Sequence, residues 1–187
     1  MSQLDDIKRL DIKFDHRIVG LIAVKAIPKL VVGDIELGPI DSGASFEIQR
    51  WIADEFIRSG VARLADATSE MSLTKVQEHY IKETMQPSRR LSTLPEDFYP
   101  KLRRLLNELS KTRLSDPDKT DEFRKMTQLS TDILTVRLNK ILLLSSAHGQ
   151  NEDVLKNLTP DEKLMYATLH KAVENWRRKV FEYGEVG

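Results

Sequence analysis

The sequence contains no cysteine among its 187 residues. Disulfides, thiolate nucleophiles and Cys-ligated zinc or iron–sulfur sites are therefore excluded, and the composition fits a reducing compartment. Net charge is missing too, since 29 Lys plus Arg are balanced by 29 Asp plus Glu. A non-specific nucleic-acid binder carries a basic excess. Cutting the chain after residue 62 reveals none: 8 basic and 10 acidic residues precede the cut, 21 and 19 follow it. No apolar run approaches the roughly 18 residues of a membrane span. The start, Met1-Ser2-Gln3-Leu4-Asp5-Asp6, is acidic and lacks the basic-then-apolar layout of a secretory signal. These absences point to a soluble protein of the cell interior without a membrane partner.

Catalytic spacing is equally scarce. The histidines His16, His79, His148 and His170 include no pair four apart on one helix, and no cysteine joins them, so no metal-ligand pattern forms. His79 beside Glu78 reads as a surface pair on a helix. Gly33, Gly38 and Gly43 recur at regular intervals, but no Gly-Lys-Ser/Thr follows, which makes them turn residues and not a phosphate loop. Glu96-Asp97 and Asp161-Glu162 both fall at expected helix starts, where the macrodipole favours carboxylates. No Gly-x-Ser-x-Gly elbow occurs. The chain is expected to be no enzyme, and no catalytic, metal or cofactor-binding residue is assigned.

What is present is a core. Hydrophobic residues make up 40% and charged residues 31%, enough apolar material for an interior beneath an ion-rich surface. From about Ile12 to Ile40 the apolar residues are mostly Ile and Val. They come in short runs (Ile18-Val19, Leu21 to Val24, Leu30 to Val32, Ile35 to Leu37) punctuated by Gly20, Pro28, Gly33, Gly38 and Pro39. This predicts a compact head of three or four strands.

After Gly43 the spacing turns helical. Phe46, Trp51, Ile52, Phe56 and Ile57 share one face of a short helix, capped by Ser45 and closed by Gly60. A second helix is expected from about Ser69 to Gln86, with Leu73, Val76, Tyr80 and Ile81 inward and Pro87 as its stop. Thr93-Leu94-Pro95-Glu96 has the form of a capping box ahead of the stripe Phe98, Leu102, Leu105, Leu106 and Leu109. Asp116-Pro117-Asp118 ends that helix and offers Asp118 as the next cap. The longest periodic stretch then runs to about Ala147, roughly 40 Å at the helical rise. Thr159-Pro160-Asp161-Glu162 is a second capping box with proline at the favoured first position. It opens a last helix with Met165, Leu169, Ala172, Val173, Trp176 and Val180 on its inner face. Trp51 and Trp176 read as core anchors. The fold class is α+β and mainly α: a small strand-rich N-terminal domain with a following short helix over 1–62, then a bundle of long helices over 63–187.

The long helix carries more apolar surface than one neighbour covers. Phe123, Met126, Leu129, Ile133, Val136 and Ile141 form one broad face, and Leu134, Leu138, Leu142 and Leu143 widen it beyond an amphipathic stripe, which requires cover from several sides. Neighbouring helices or a second subunit supply it. Arg137 and Lys140 fall inside this arc, and two readings are open. Their stems lie along the apolar surface while their charges reach water, or they are paired, partly buried charges that fix the register of a helix–helix interface. Arg137, Lys140, Leu134 and Leu138 are accordingly the candidate subunit-interface residues. The basic doublets Arg89-Arg90, Arg103-Arg104 and Arg177-Arg178 are solvated helix faces or phosphate contacts. A helical DNA-binding module, the alternative function, would use Arg103, Arg104, Arg177 and Arg178, with affinity falling steeply as salt rises.

Four segments together resemble the GINS complex subunits of the small-domain-first type. They are Leu37-Gly38-Pro39-Ile40 with Gly43 and Trp51-Ile52-Ala53; Leu94-Pro95-Glu96-Asp97-Phe98-Tyr99; Asp132-Ile133-Leu134 with Arg137 and Lys140-Ile141; and Asn157-Leu158-Thr159 with Glu162. The order and spacing of the segments, more than any one of them, carry the likeness over roughly residues 20 to 180. Many relatives place a proline just before the Trp-bearing segment, where this chain has Ile48-Gln49-Arg50. The short chain and compact loops look more like an archaeal subunit than a eukaryotic one. The resemblance implies a non-catalytic scaffold that helps activate the replicative MCM helicase in chromosomal DNA replication. It also implies a tetramer, commonly two copies of each of two related subunits of opposite domain order in archaea. Such a tetramer bridges the MCM ring and a RecJ-like or Cdc-type replication protein, touching DNA only indirectly or weakly. Its location would be the nucleoid of an archaeal cell or the nucleus of a eukaryotic one. The match of Arg137 and Lys140 to the family pattern implies a structural or interface role for them.

Overall fold

The computed structural model describes residues 3–66, 70–113, 117–147 and 155–182. They form two compact units, one of Lys8–Glu70 and one of Met71–Gly187 with Met1–Ile7. A boundary after residue 62 would cut a strand, Ala62–Leu64, so the small unit runs on to Glu70. Chain order begins with a helix absent from the sequence-based expectation, α1 (Gln3–Asp15). Its signal is Ile7, Leu10 and Phe14 at helical spacing.

The small unit is built on strand β1 (Ile18–Ala23), which pairs antiparallel with β4 (Ser45–Gln49) on one side and β5 (Ala62–Leu64) on the other. Between them in sequence, β2 (Leu30–Val32) and β3 (Ile35–Leu37) make a separate hairpin. Gly33 takes φ 61° at the first position of its two-residue turn, the conformation such glycine-first hairpin turns demand. At Gly38 a Cβ would stand 2.8 Å from the Pro28 carbonyl oxygen, so no other residue fits without moving backbone.

Residues 45–49 are strand and not the start of a helix. In Ser45-Phe46-Glu47-Ile48-Gln49 the alternate positions 46 and 48 are the covered ones, with Ile48 fully buried. Period two wins over the helical reading of Phe46. The helix proper, α2 (Arg50–Arg58), buries Arg50, Ile52 and Ala53 and has no side-chain cap. Trp51, turned away from them, is 45% exposed and anchors no core. Buried Arg50 instead ties the unit together: its guanidinium forks onto Glu70 at 2.8 Å twice and lies 5.5 Å from the Phe14 ring centroid.

In the other unit α3 (Leu73–Thr84), α4 (Phe98–Thr112) and α6 (Pro160–Glu182) pack on α5 (Pro117–Ser145). Ser69, the expected start of α3, lies outside the described residues; Ser72 is the cap, accepting from the Lys75 amide. The capping box at Thr93 does not form, because Thr93 turns to Asn157 and α4 starts later, after Asp97. Asp118 lies inside the first turn of α5 behind Pro117, and is no cap. The capping box at Thr159 does form: the Thr159 amide donates to Glu162 Oε2 at 2.9 Å and the Glu162 amide to Thr159 Oγ1 at 3.3 Å. The main core joins Val76, Leu94, Phe98, Leu102, Leu109, Met126 and Ile133, and a second joins Leu91, Ile141, Leu158 and Tyr166. Ile81, Trp176 and Val180, expected inside, are exposed, as is Met165 at the edge of α6.

Candidate interaction surface

One face of α5 is sealed by charge. Arg137 is 1% exposed, Lys140 6%, Glu83 0% and Glu162 4%, a closed set of two positive and two negative groups. The guanidinium uses all five of its N–H donors: Nε and Nη2 fork onto Glu162, Nη1 reaches Glu83 Oε2 at 2.6 Å and the Ser92 carbonyl at 3.0 Å, and Nη2 also reaches the Asn157 carbonyl at 3.2 Å. Lys140 Nζ donates to Glu83 Oε1 at 2.6 Å and to the carbonyls of Glu83 and Gln86 at 2.8 and 3.3 Å. Tyr99 donates to Glu162 Oε1 at 2.7 Å, and the Ser92 amide and hydroxyl both donate to Glu83 Oε2. Residues from α3, α4, α5, α6 and two connections are thus fixed to one another.

The titration of these groups follows from that geometry. Burial alone would push the Glu83 carboxyl up; the hydrogen bonds from Lys140 and Ser92 and the charge of Arg137 outweigh it and hold it below the ordinary range. Burial would likewise lower Arg137, but the bonds and charge of Glu162, helped by Glu83, raise it instead. Burial beside Glu162 drives the Tyr99 hydroxyl well above its usual value. His79 is not the surface partner of Glu78 that the sequence suggested. It stands edge-on to Phe98 with ring centroids 5.4 Å apart, its Nδ1 buried without a partner. Burial first, then Lys82, lowers its pKa.

The charges of Arg137 and Lys140 therefore end on buried groups of this chain, and the register they fix is between its own helices. Both cations are legible in the sequence, but neither counter-charge is. Glu162 reads as a capping residue, and it is both cap and ion-pair partner. Glu83 carried a usable signal, since it follows Val76 by seven residues on the inward stripe of α3.

The opposite face of α5 is apolar and open. Leu134, Leu138 and Leu142, each one turn apart, are 44%, 41% and 42% exposed. Leu134 and Leu138 line a groove of about 350 Å³ together with Ile7, Thr131, Thr135 and Met165, and Tyr99 and Arg103 are also in its wall. The last turns of α6 separately expose Trp176, Val180 and Phe181. Aligned apolar side chains of this size are the mark of a binding surface, unlike single scattered ones. In the small unit, a second concavity of about 490 Å³ lies beside Trp51, Ile27, Pro28 and Phe56.

The four DNA-contact candidates are engaged inside the chain. Arg103 bridges α4 to Asp161 of α6 at 2.9 Å, and Arg104 pairs with Glu108 at 3.3 Å. Arg177 pairs with Glu174 and reaches the Ser146 carbonyl, while Arg178 bonds Asn175. They form local ties instead of one free basic face. Among the described residues no group of His, Asp and Glu is placed to hold a metal, and no helix is long and apolar enough to cross a membrane.

A helical bundle locked inside by ion pairs, with an uncovered leucine face outside, has the build of a subunit made for assembly. Residues 64–181 match the GINS complex protein helical bundle domain, and the chain belongs to that family, whose members are non-catalytic components of a replication complex that assemble with one another. No curated protein sequence matches the chain.

Proposed function

We propose that the chain is the small-domain-first subunit of an archaeal-type GINS tetramer, pairing two plus two with a related subunit of opposite domain order. The observation that carries this reading is the row Leu134, Leu138 and Leu142, left exposed on a helix whose other face is rigidly held. Apolar area uncovered in the single chain gains favourable free energy once a partner removes it from water, about 25 cal/mol per Å². A fixed helix presents that area without an ordering cost on binding. Leu134 and Leu138 are the subunit contacts in this reading; Arg137 and Lys140 act beneath them as support. The assembled complex serves as the scaffold that joins and activates the MCM helicase at the chromosome, bridging it to a RecJ-like or Cdc-type protein. Co-expression tests it. The tagged chain should retain the related subunit through purification, and the pair should stimulate unwinding by MCM on forked DNA. Unwinding indifferent to the pair would remove the helicase role, and failure to retain the subunit would remove the tetramer.

A further inference from the structure

One arginine doublet takes no part in the bundle's ion pairs. Arg89 and Arg90 are exposed in the α3–α4 connection, and among the described residues neither side chain has a bonded partner, whereas Arg103, Arg104, Arg177 and Arg178 all do. No acidic residue occurs from Thr84 to Pro95 to neutralise them. Their backbone, however, is held from within. Lys140 Nζ bonds the Gln86 carbonyl, Asn157 Nδ2 the Leu91 carbonyl at 3.1 Å, and Glu83 and Arg137 grip Ser92. Between these anchors the Arg90 amide closes a turn onto the Pro87 carbonyl at 2.9 Å. Ile81 in the last turn of α3 and the C-cap residue Met85, four positions on, are 43% and 76% exposed.

We propose that this connection is a docking site for an acidic, leucine-rich segment of a partner protein, distinct from the leucine face of α5. Two guanidinium forks match carboxylates in a way point charges do not, and a pinned backbone spares the ordering cost that a loose loop would impose. Ile81 and Met85 supply the adjoining apolar contact. A nucleic-acid strand is the poorer occupant. No aromatic residue lies between Ile81 and Asp97 to stack on a base, and the chain has no net positive charge.

The test uses the full-length chain and a short fluorescent peptide alternating Asp or Glu with Leu, read by anisotropy. Saturable binding is expected, weakened at least about tenfold by the double change Arg89→Glu with Arg90→Glu and about threefold by Met85→Ser. The paired Arg89→Lys and Arg90→Lys changes should retain part of the affinity, and a peptide with Lys in place of the acids should not bind. Since neither arginine side chain has a bonded partner among the described residues, far-UV circular dichroism should be unchanged in all variants. Equal binding by the charge-reversed variant, or none by the native chain, overturns the proposal. So does displacement of the peptide by a short DNA duplex whose own binding depends on the two arginines, which would make the surface a phosphate site.

Discussion

At Arg137 the structure concentrates the cost of the whole bundle on one side chain. Its five donors satisfy two buried carboxylates and two carbonyls, so removing it leaves Glu162 without a cationic partner and Glu83 with Lys140 alone. Arg137→Met should lower unfolding free energy by about 3–5 kcal/mol in urea titrations, because breaking a buried pair leaves an uncompensated charge. Adding Glu162→Leu should recover part of that loss, and a purely additive double mutant would argue against direct coupling. Acid should act through the same cluster. The lowered Glu83 pKa means its stabilisation is complete above the free glutamate value of about 4.3 and is lost as pH falls through the lower folded value. Urea midpoints measured from about pH 6 to about pH 3 should therefore fall more steeply for the native chain than for Glu83→Gln. His79 adds a second window. Its pKa is also lowered, so its contribution is present above about 6.5 and lost as pH falls below it; His79→Gln should flatten the stability profile between about pH 7 and pH 5.5.

Among the elements, α5 shows most clearly what a sequence can and cannot disclose. Its period was legible, as was an apolar surplus that one neighbour does not cover. The inward face of Met126, Ile133 and Ile141 was legible as well; what stayed open was whether Arg137 and Lys140 reach water or a buried partner, and they occupy core positions while Leu134, Leu138 and Leu142 do not. A wheel sorts residues by polarity, and here two polar residues lie in and three apolar ones out. The same inversion hid Trp51 and Trp176, which were assigned to the core by size and lie exposed. Segment 45–49 failed for another reason. Phe46 and Ile48 satisfy a strand, and Phe46 with Trp51 a helix, and only pairing with β1 decides between them. Of the two capping boxes, the one at Thr159 was read correctly since local bonds suffice to make it, whereas Thr93 was diverted by a residue far along the chain, Asn157. Of the four interface candidates, Leu134 and Leu138 are exposed and Arg137 and Lys140 are buried, a difference that apolar periodicity alone does not disclose. Because those leucines are exposed, Leu134→Glu with Leu138→Glu should change the chain's own stability by no more than about 0.5 kcal/mol per site, measured by the same urea titration as for Arg137.

At the scale of the whole molecule, the two units differ in build. The helical unit combines the family's bundle with an open leucine face; the small unit is a sheet and helix closed by Arg50 and Glu70, with its own concavity beside Trp51. The exposed apolar area of α5 is what the proposed assembly would cover. The most direct measurement is the mass, by light scattering on a sizing column, of the native chain and of the Leu134→Glu, Leu138→Glu variant, each co-expressed with the related subunit of opposite domain order. A species of about four chains for the native protein, and separate, folded subunits for the variant, is the predicted result. A variant that still forms the same tetramer, or a native chain that stays monomeric beside its partner, would contradict the role given to the leucine face.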